Sequence, residues 1–241
     1  MTSQIIAMGG GGFSMEPDNP LLDSYILAQS SSDKPKVCFV PTASGDADGY
    51  VKRFYAAFNE HTCIPSHLSL YAPPSQDLED FVMDKDIIYV GGGSTRNLLT
   101  LWKEWGLDQI LAKAWNQGII LAGLSAGSLC WYEEGITDSN QGGYSSIRCL
   151  GLLPGSHSPH YDNTNQGNYT YKPAYRKLIE NRDLGQGIAA DDGVALHYVG
   201  KKLHKIVSSR RNAFAYQVSL TDQSVIEKRL EPYYLGESDL L

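Results

Sequence analysis

The feature that most constrains the fold is an alternation of short apolar runs with segments of helical periodicity. Each apolar run is too short for a helix and too apolar for a strand with one solvent-facing side, which favours buried parallel strands. The alternation predicts right-handed crossovers and a three-layer α/β/α sandwich around a mostly parallel sheet. The predicted strands are Gln4–Met8, Lys36–Val40, Asp86–Val90 and Ile119–Ala122, and the predicted helices are Leu21–Gln29, Tyr50–Glu60, Thr95–Trp105 and Leu107–Gln117.

The last third of the chain has a different pattern. One helix is predicted over Lys172–Asn181, with Pro173 in its first turn. Short strand-like segments separated by turn residues then predict antiparallel hairpins added to the sheet edge. These segments are Gly187–Ala190, Val194–Val199, Leu203–Val207 and Ala213–Leu220. No linker or repeat interrupts the pattern, so residues 1–241 are expected to form one domain.

Composition and charge exclude several function classes. The 241 residues include 20 Lys and Arg against 27 Asp and Glu, a net charge of −7. An acidic surface repels phosphate backbones, so no nucleic-acid partner is expected. No signal peptide and no apolar stretch of about 20 residues is present, which predicts a cytoplasmic protein without a membrane partner. The four cysteines lack metal-ligand spacing, so they predict reduced thiols and no metal site.

Two glycine-rich turns follow predicted strands. Gly9–Gly12 lacks the spacing of a dinucleotide-binding motif, and Gly91–Thr95 lacks the lysine of a phosphate-binding loop. Both therefore predict tight turns. Such turns leave backbone N–H groups free at a helix start, where they can stabilise an oxyanion.

Gly123-Leu124-Ser125-Ala126-Gly127 is the strongest chemical signal in the sequence. It follows an apolar run and precedes a helix-compatible segment, Ser128–Tyr132. In this context the pattern is typical of a nucleophilic serine on a sharp strand-to-helix turn, with the Ala126 N–H facing the forming oxyanion. The structural alternative is a serine that only caps the following helix.

A nucleophilic serine needs a base, and two of the six histidines fit best. His157 and His160 lie in a polar segment that follows the apolar Leu150–Leu153, and the residues alone do not separate them. His61, His67, His197 and His204 are interpreted as surface or ordinary strand residues. Two further polar segments, Ser139–Ser146 and Asp162–Tyr169, are expected either to cover the site or to form plain surface loops.

The base in turn needs a carboxylate to orient it. The candidates are Glu133, Glu134, Asp138, Asp162, Asp191 and Asp192. Asp191-Asp192-Gly193 follows a predicted strand, although a solvated hairpin turn explains that segment equally well.

Together, three motifs resemble the peptidase E family, the S51 serine peptidases, which include aspartyl dipeptidase and have cyanophycinase as a relative. They are Val90-Gly91-Gly92-Gly93-Ser94-Thr95, the Ser125 motif, and Ser158-Pro159-His160-Tyr161-Asp162. The resemblance covers nearly the whole chain and keeps the family's order. It implies a fold similar to class I glutamine amidotransferases.

Carried over residue by residue, the resemblance implies Ser125 as nucleophile, His160 as general base and Asp192 as triad acid, where aspartyl dipeptidases carry glutamate. It implies Asp138 as a further residue supporting the site, and an oxyanion hole from Gly92 or Gly93 with Ala126. Tyr171 stands where those enzymes carry a specificity arginine. Lys172 or Arg176 could replace that arginine electrostatically, but a lysine is not a bidentate clamp, so strict specificity for N-terminal aspartate is not implied.

The expected function is therefore a serine peptidase that cleaves small peptides through an acyl-enzyme, without a cofactor. The alternatives are a cyanophycinase-like hydrolase of Asp–Arg polymer or isoaspartyl bonds, and a non-catalytic binding protein. The oligomeric state is left open, a homodimer being one option.

Overall fold

The computed structural model describes residues 2–72, 77–163, 171–222 and 224–237. Most of the predicted elements lie within a residue or two of their expected bounds. The helices are α1 (Gly12–Met15), α2 (Leu21–Leu27), α3 (Asp48–Phe58), α4 (Leu78–Met83), α5 (Thr95–Trp105), α6 (Leu107–Asn116), α7 (Ala126–Leu129) and α8 (Tyr171–Glu180).

The strands form two sheets. They are β1 (Gln4–Met8), β2 (Lys36–Val40), β3 (Ile64–His67), β4 (Ile87–Val90), β5 (Ile120–Leu124), β6 (Tyr132–Asn140), β7 (Gly143–Arg148), β8 (Leu153–Ser158), β9 (Gly187–Ala190), β10 (Val194–Val199), β11 (Lys202–Ser208), β12 (Ala215–Leu220), β13 (Val225–Leu230) and β14 (Tyr233–Tyr234). The first sheet has the order β14-β11-β10-β1-β5-β4-β2-β3 and the second β13-β12-β9-β8-β6-β7.

The α/β class and the mostly parallel first sheet are confirmed. Strands β1, β5, β4, β2 and β3 run parallel, and β10 and β11 form an antiparallel hairpin beside β1. Both faces of β1 are buried, with Ile5 and Ala7 in one apolar cluster and Ile6 and Met8 in another. Buried faces on both sides explain why these runs are continuously apolar.

The second sheet differs from the predicted single sheet with a hairpin edge. β9 pairs with β8 in parallel and with β12 in antiparallel, so it does not form a hairpin with β10. The turn between β9 and β10 instead crosses from one sheet to the other. Consequently its residues, Asp191, Asp192 and Gly193, lie where the two sheets meet rather than at a solvated edge.

The region after α7 was also predicted differently. The helix ends at Leu129, β6 and β7 form a hairpin, and the expected loop Ser139–Ser146 belongs to that hairpin. Of the other expected loop, Asp162–Tyr169, only residues 162 and 163 belong to the described residues, and the rest lies outside them. No helix in the described ranges combines the length and apolarity needed to cross a bilayer.

Candidate active site

Ser125 occupies a strained turn between β5 and α7. Its backbone has φ 57° and ψ −120°, a conformation that non-glycine residues rarely adopt. The Ser125 N–H donates to the Met8 carbonyl at the end of β1, at 3.2 Å, which ties the turn to the neighbouring strand. The serine is half-buried at the carboxyl edge of the first sheet. Ligands of open α/β sheets bind at this edge.

The two glycines of the motif allow α7 to start directly on the sheet. A β-carbon on Gly127 would meet the Val90 carbonyl, and one on Gly123 would meet the Gly127 carbonyl. Because backbone packs on backbone at both positions, only glycine fits there. The turn therefore has the geometry that the sequence motif predicts.

His160 and Asp192 form a close pair. His160 Nδ1 lies 2.6 Å from Asp192 Oδ1, and each side chain is only 12% exposed. The carboxylate only accepts hydrogen bonds, so Nδ1 carries the proton and Nε2 is left to act as a base. His160 lies just beyond β8 and Asp192 just beyond β9, and these strands are parallel neighbours.

Two hydrogen bonds from backbone N–H groups hold the turn that carries Asp192. The Asp192 N–H donates to Asp162 Oδ1 at 2.9 Å, and the Gly193 N–H donates to the Gly10 carbonyl at 3.0 Å. Gly10 also pairs with Asp192 as an isolated β-bridge. Ser125 and Asp192 are therefore both anchored to the segment that leaves β1. Within the described residues, Ser125 Oγ makes no hydrogen bond with His160.

The glycine-rich turn after β4 lies against the serine. A β-carbon on Gly92 would be 3.1 Å from the Ser125 Cβ. The Gly92 N–H, however, donates to the Tyr50 hydroxyl at 3.2 Å. The N–H groups of Gly93 and Ala126 donate to no backbone acceptor in the part of the chain that is described. The Gly92 N–H is thus engaged by Tyr50, a contact that sequence reasoning missed.

The second candidate base, His157, is fully buried below the turn. Its Nδ1 lies 2.9 Å from the Ile188 carbonyl, its Nε2 lies 3.2 Å from Ser128 Oγ, and its ring stacks on Tyr132. Burial lowers the pKa of His157 to about 4, so the ring is neutral at pH 7. Ser128 Oγ also lies 2.9 Å from the Ser125 carbonyl oxygen. His157 therefore supports the turn instead of reaching substrate.

The remaining candidate carboxylates do not bond His160. Glu133 accepts from the Gly155 N–H, Glu134 from the Gly185 N–H and Asp191 from the Phe214 N–H, and Asp138 is exposed on β6. Burial raises the pKa of Asp191 to about 6. Among the sequence candidates, Asp192 is therefore the carboxylate bonded to His160.

The two expected substrate cations are engaged elsewhere. Lys172 Nζ lies 2.7 Å from Glu227 Oε2, and Arg176 Nη1 lies 2.5 Å from Glu227 Oε1. The Tyr161 hydroxyl also donates to Glu227, at 2.8 Å. Both cations therefore share the single negative charge of Glu227, and the three side chains together keep one positive charge. Nothing in the sequence pattern singled out Glu227, because strand β13 brings it to α8 from 51 positions away.

Tyr171, at the position of the family arginine, lies beside the base. Its ring centroid is 5.6 Å from that of His160, and it is buried. Over the described ranges, no group of three or more His, Cys, Asp or Glu side chains is arranged to hold a metal ion.

A serine on a strained strand-to-helix turn and a histidine–carboxylate pair, tied to Met8 and Gly10 respectively, are the components of a serine-type hydrolase. The chain belongs to peptidase family S51, whose model matches residues 5–206. It is 57% identical to the uncharacterized peptidase YgaJ of Bacillus subtilis, over 97% of this chain and 99% of that protein. It is 27% identical to peptidase E of Streptomyces coelicolor, over 62% of each chain.

Solved structures show the same fold. A peptidase from an acI-B1 Actinobacterium matches with a TM-score of 0.71 at 18% identity, covering 98% of this chain and 96% of that chain. A putative peptidase E from Listeria monocytogenes matches with a TM-score of 0.55 at 19% identity, covering 96% of this chain and 100% of that chain. The chain is therefore a serine peptidase with the peptidase E fold.

Proposed function

We propose that Ser125, His160 and Asp192 act as a catalytic triad that hydrolyses short peptides, in particular dipeptides. The observation that carries this proposal is the 2.6 Å contact between His160 Nδ1 and Asp192 Oδ1, and the backbone of Ser125, held at φ 57°, supports it. The contact orients the imidazole with Nε2 as a proton acceptor and stabilises the imidazolium that forms.

The reaction would proceed through an acyl-enzyme. Ser125 Oγ attacks the scissile carbonyl carbon while His160 Nε2 takes its proton, and the N–H groups of Gly93 and Ala126 bind the oxyanion. The intermediate collapses as His160 returns the proton to the leaving amine, which leaves an ester on Ser125. A water molecule, deprotonated by His160, then hydrolyses the ester and restores the serine.

The lack of a direct Ser125–His160 hydrogen bond is compatible with this role. Catalytic hydrogen bonds are often long without substrate and tighten in the complex. The anchoring of Ser125 to Met8 and of Asp192 to Gly10 supports the proposal, because both residues are held by the three-residue segment 8–10 at the end of β1.

The test is turnover of a peptide panel by the wild type, Ser125→Ala and a control, Ser30→Ala, which removes a serine outside the site. The panel contains α-aspartyl, β-aspartyl and neutral dipeptides together with cyanophycin. We expect the wild type and Ser30→Ala to cleave dipeptides at equal rates, and Ser125→Ala to lose turnover by about a thousandfold or more. Equal rates for Ser125→Ala would contradict the proposal, and cleavage of cyanophycin alone would replace the dipeptide substrate.

We further propose a cytoplasmic location. The four cysteines are all free, and Cys38, Cys63 and Cys130 are buried. Unpaired thiols in a chain of this length are typical of reducing compartments.

A further inference from the structure

The turn that brings Asp192 to His160 packs against the segment that follows β1. A β-carbon on Gly10 would overlap Asp192 Oδ1, which is the oxygen that contacts His160 Nδ1. A β-carbon on Gly11 would lie 3.3 Å from the Cα of Gly193. The carboxylate and the glycine after it therefore lie directly against the backbone that leaves β1.

The same turn also contacts the segment that follows β11. The Ser209 N–H donates to the Gly193 carbonyl at 2.8 Å. A β-carbon on Gly193 would lie 2.8 Å from the Cγ of Arg210 and 2.9 Å from its Cδ. Gly193 has φ 84°, a conformation that glycine adopts at little cost. The aliphatic part of Arg210 therefore lies on the turn, at a position where only glycine leaves room for it.

Glu16 joins these two segments. The short helix α1 follows Gly11 directly, and Glu16 is the residue at its C-terminal end. Glu16 Oε1 lies 2.7 Å from Arg210 Nε, and Glu16 Oε2 accepts from the Ser209 hydroxyl at 2.6 Å. Both carboxylate oxygens are thus held, and the Glu16 side chain is only 12% exposed. Charge pairs at such partly buried positions are screened less by salt than pairs on the open surface.

We propose that Glu16 and Arg210 are positioning residues for the base His160, with Ser209 as their link to the turn. Their ion pair closes a ring of contacts that joins the segment after β1 to the segment after β11. This ring fixes the carboxylate of Asp192 where it orients the imidazole, and proton transfer depends on such placement. The inference rests on the proposed triad and adds two residues that act through Asp192.

The first readout is the NMR signal of the proton on His160 Nδ1, which is measured without turnover. A proton in a short hydrogen bond to a carboxylate resonates far downfield, and movement of either partner broadens or removes its signal. His157 Nδ1 also has an oxygen partner, the Ile188 carbonyl, so His160→Gln is used to assign the signal. The second readout is kcat and KM for the dipeptide that the wild type cleaves fastest.

Three variants change the ion pair in different ways. Arg210→Met keeps the aliphatic part of the side chain and removes the cation, and Glu16→Gln removes the anion at nearly the same shape. Arg210→Lys keeps a cation beside Glu16. The matched control is Arg211→Met, which breaks the neighbouring, more exposed ion pair with Glu237, at 2.9 Å. Urea unfolding of every variant shows whether it is folded under the assay conditions.

We expect Arg210→Met and Glu16→Gln each to broaden the His160 signal in a folded protein. Both should lower kcat by about tenfold and leave KM within about twofold, because the base is misplaced while the substrate contacts remain. Arg210→Lys should keep the signal and most of kcat. Arg211→Met should match the wild type, since an exposed ion pair contributes little.

The positioning role would be overturned by an unchanged His160 signal in either Arg210→Met or Glu16→Gln, or by a wild type without that signal. A signal lost only through global unfolding, an equal loss in Arg211→Met, or a change in KM instead of kcat would overturn it as well. Turnover by the wild type tests the proposed hydrolysis separately. The expected NMR changes without turnover contradict only the hydrolysis, whereas turnover with an unaffected signal contradicts only the positioning role.

Discussion

His160 Nδ1 and Asp192 Oδ1 lie 2.6 Å apart, although the two residues are 32 positions apart in the chain. They meet because β8 and β9 are parallel neighbours, and each residue lies just beyond the carboxyl end of its strand. The pairing of strands in the second sheet therefore creates the contact between His160 and Asp192, while the first sheet supplies Ser125.

The strained backbone of Ser125 leads to a stability prediction. Alanine keeps the β-carbon and the strain at φ 57°, whereas glycine adopts this conformation at little cost. We expect Ser125→Gly to have a free energy of unfolding about 1 kcal/mol higher than Ser125→Ala, with turnover lost in both. Urea unfolding of the two variants checks this, and a glycine variant no more stable than the alanine variant would show that the turn is unstrained.

The two candidate histidines should respond differently to the same substitution. His160→Gln removes the base, so we expect kcat/KM to fall by about a thousandfold while the unfolding midpoint stays near that of the wild type. His157→Gln disturbs a buried residue that bonds Ile188 and Ser128, so we expect about 2 kcal/mol of destabilisation. Turnover and urea unfolding of both variants give the comparison, and the reverse pattern would assign the base to His157.

The ion pairs of Glu227 predict that Lys172 and Arg176 have little influence on substrate affinity. Both cations are about two-fifths exposed, and Glu227 keeps one of them when the other is removed. We expect Lys172→Met and Arg176→Met each to change KM for a dipeptide by about twofold or less and to cost less than about 1 kcal/mol of stability. A tenfold rise in KM for either variant would restore that residue as a substrate ligand.

The buried carboxyl group of Asp23 leads to a prediction for how the free energy of unfolding depends on pH. Burial raises its pKa to about 7, and its carboxylate lies 3.0 Å from the Tyr89 hydroxyl. The unfolded chain releases this proton near pH 3.9, so the folded state binds more protons between about pH 4 and pH 7. This contribution to stability is complete below about pH 4 and is lost as the pH rises through about 7.

Asp23→Asn removes the titration and keeps an oxygen that accepts from Tyr89. We expect its stability relative to the wild type to increase by about 2 kcal/mol between about pH 5 and pH 8. Urea unfolding at the two pH values measures the difference. The same relative stability at both would mean that Asp23 is not titrating in this range.

In the first sheet, strands β1, β2, β4 and β5 were predictable from sequence because each is buried on both faces. Runs such as Lys36–Val40 are continuously apolar and end at glycine or small polar residues. The second sheet was not, because β8 carries Pro154, Gly155 and polar residues whose partners come from distant segments. Ser156 Oγ, for example, bonds the Gly185 carbonyl and the Tyr175 hydroxyl.

The site, too, was predictable from sequence only where a local motif marks it. Ser125 follows from a local motif, and its strained turn is visible in the structure. The choice of His160 over His157 came from the family resemblance, because both histidines lie in one short segment and only the fold shows which one faces Asp192. The pairing of Lys172 with Glu227 depends on contacts between α8 and β13 that no local pattern carries.

The central claim is that Ser125 is a nucleophile activated by His160 and Asp192. Labelling with a fluorophosphonate, followed by intact mass and peptide mapping, measures it most directly because the reagent reacts covalently with an activated serine. We expect one adduct on Ser125 in the wild type, none in Ser125→Ala, and labelling slowed by about a hundredfold or more in His160→Gln and Asp192→Asn. A folded wild-type protein that stays unlabelled, or labels at another serine, would contradict the account.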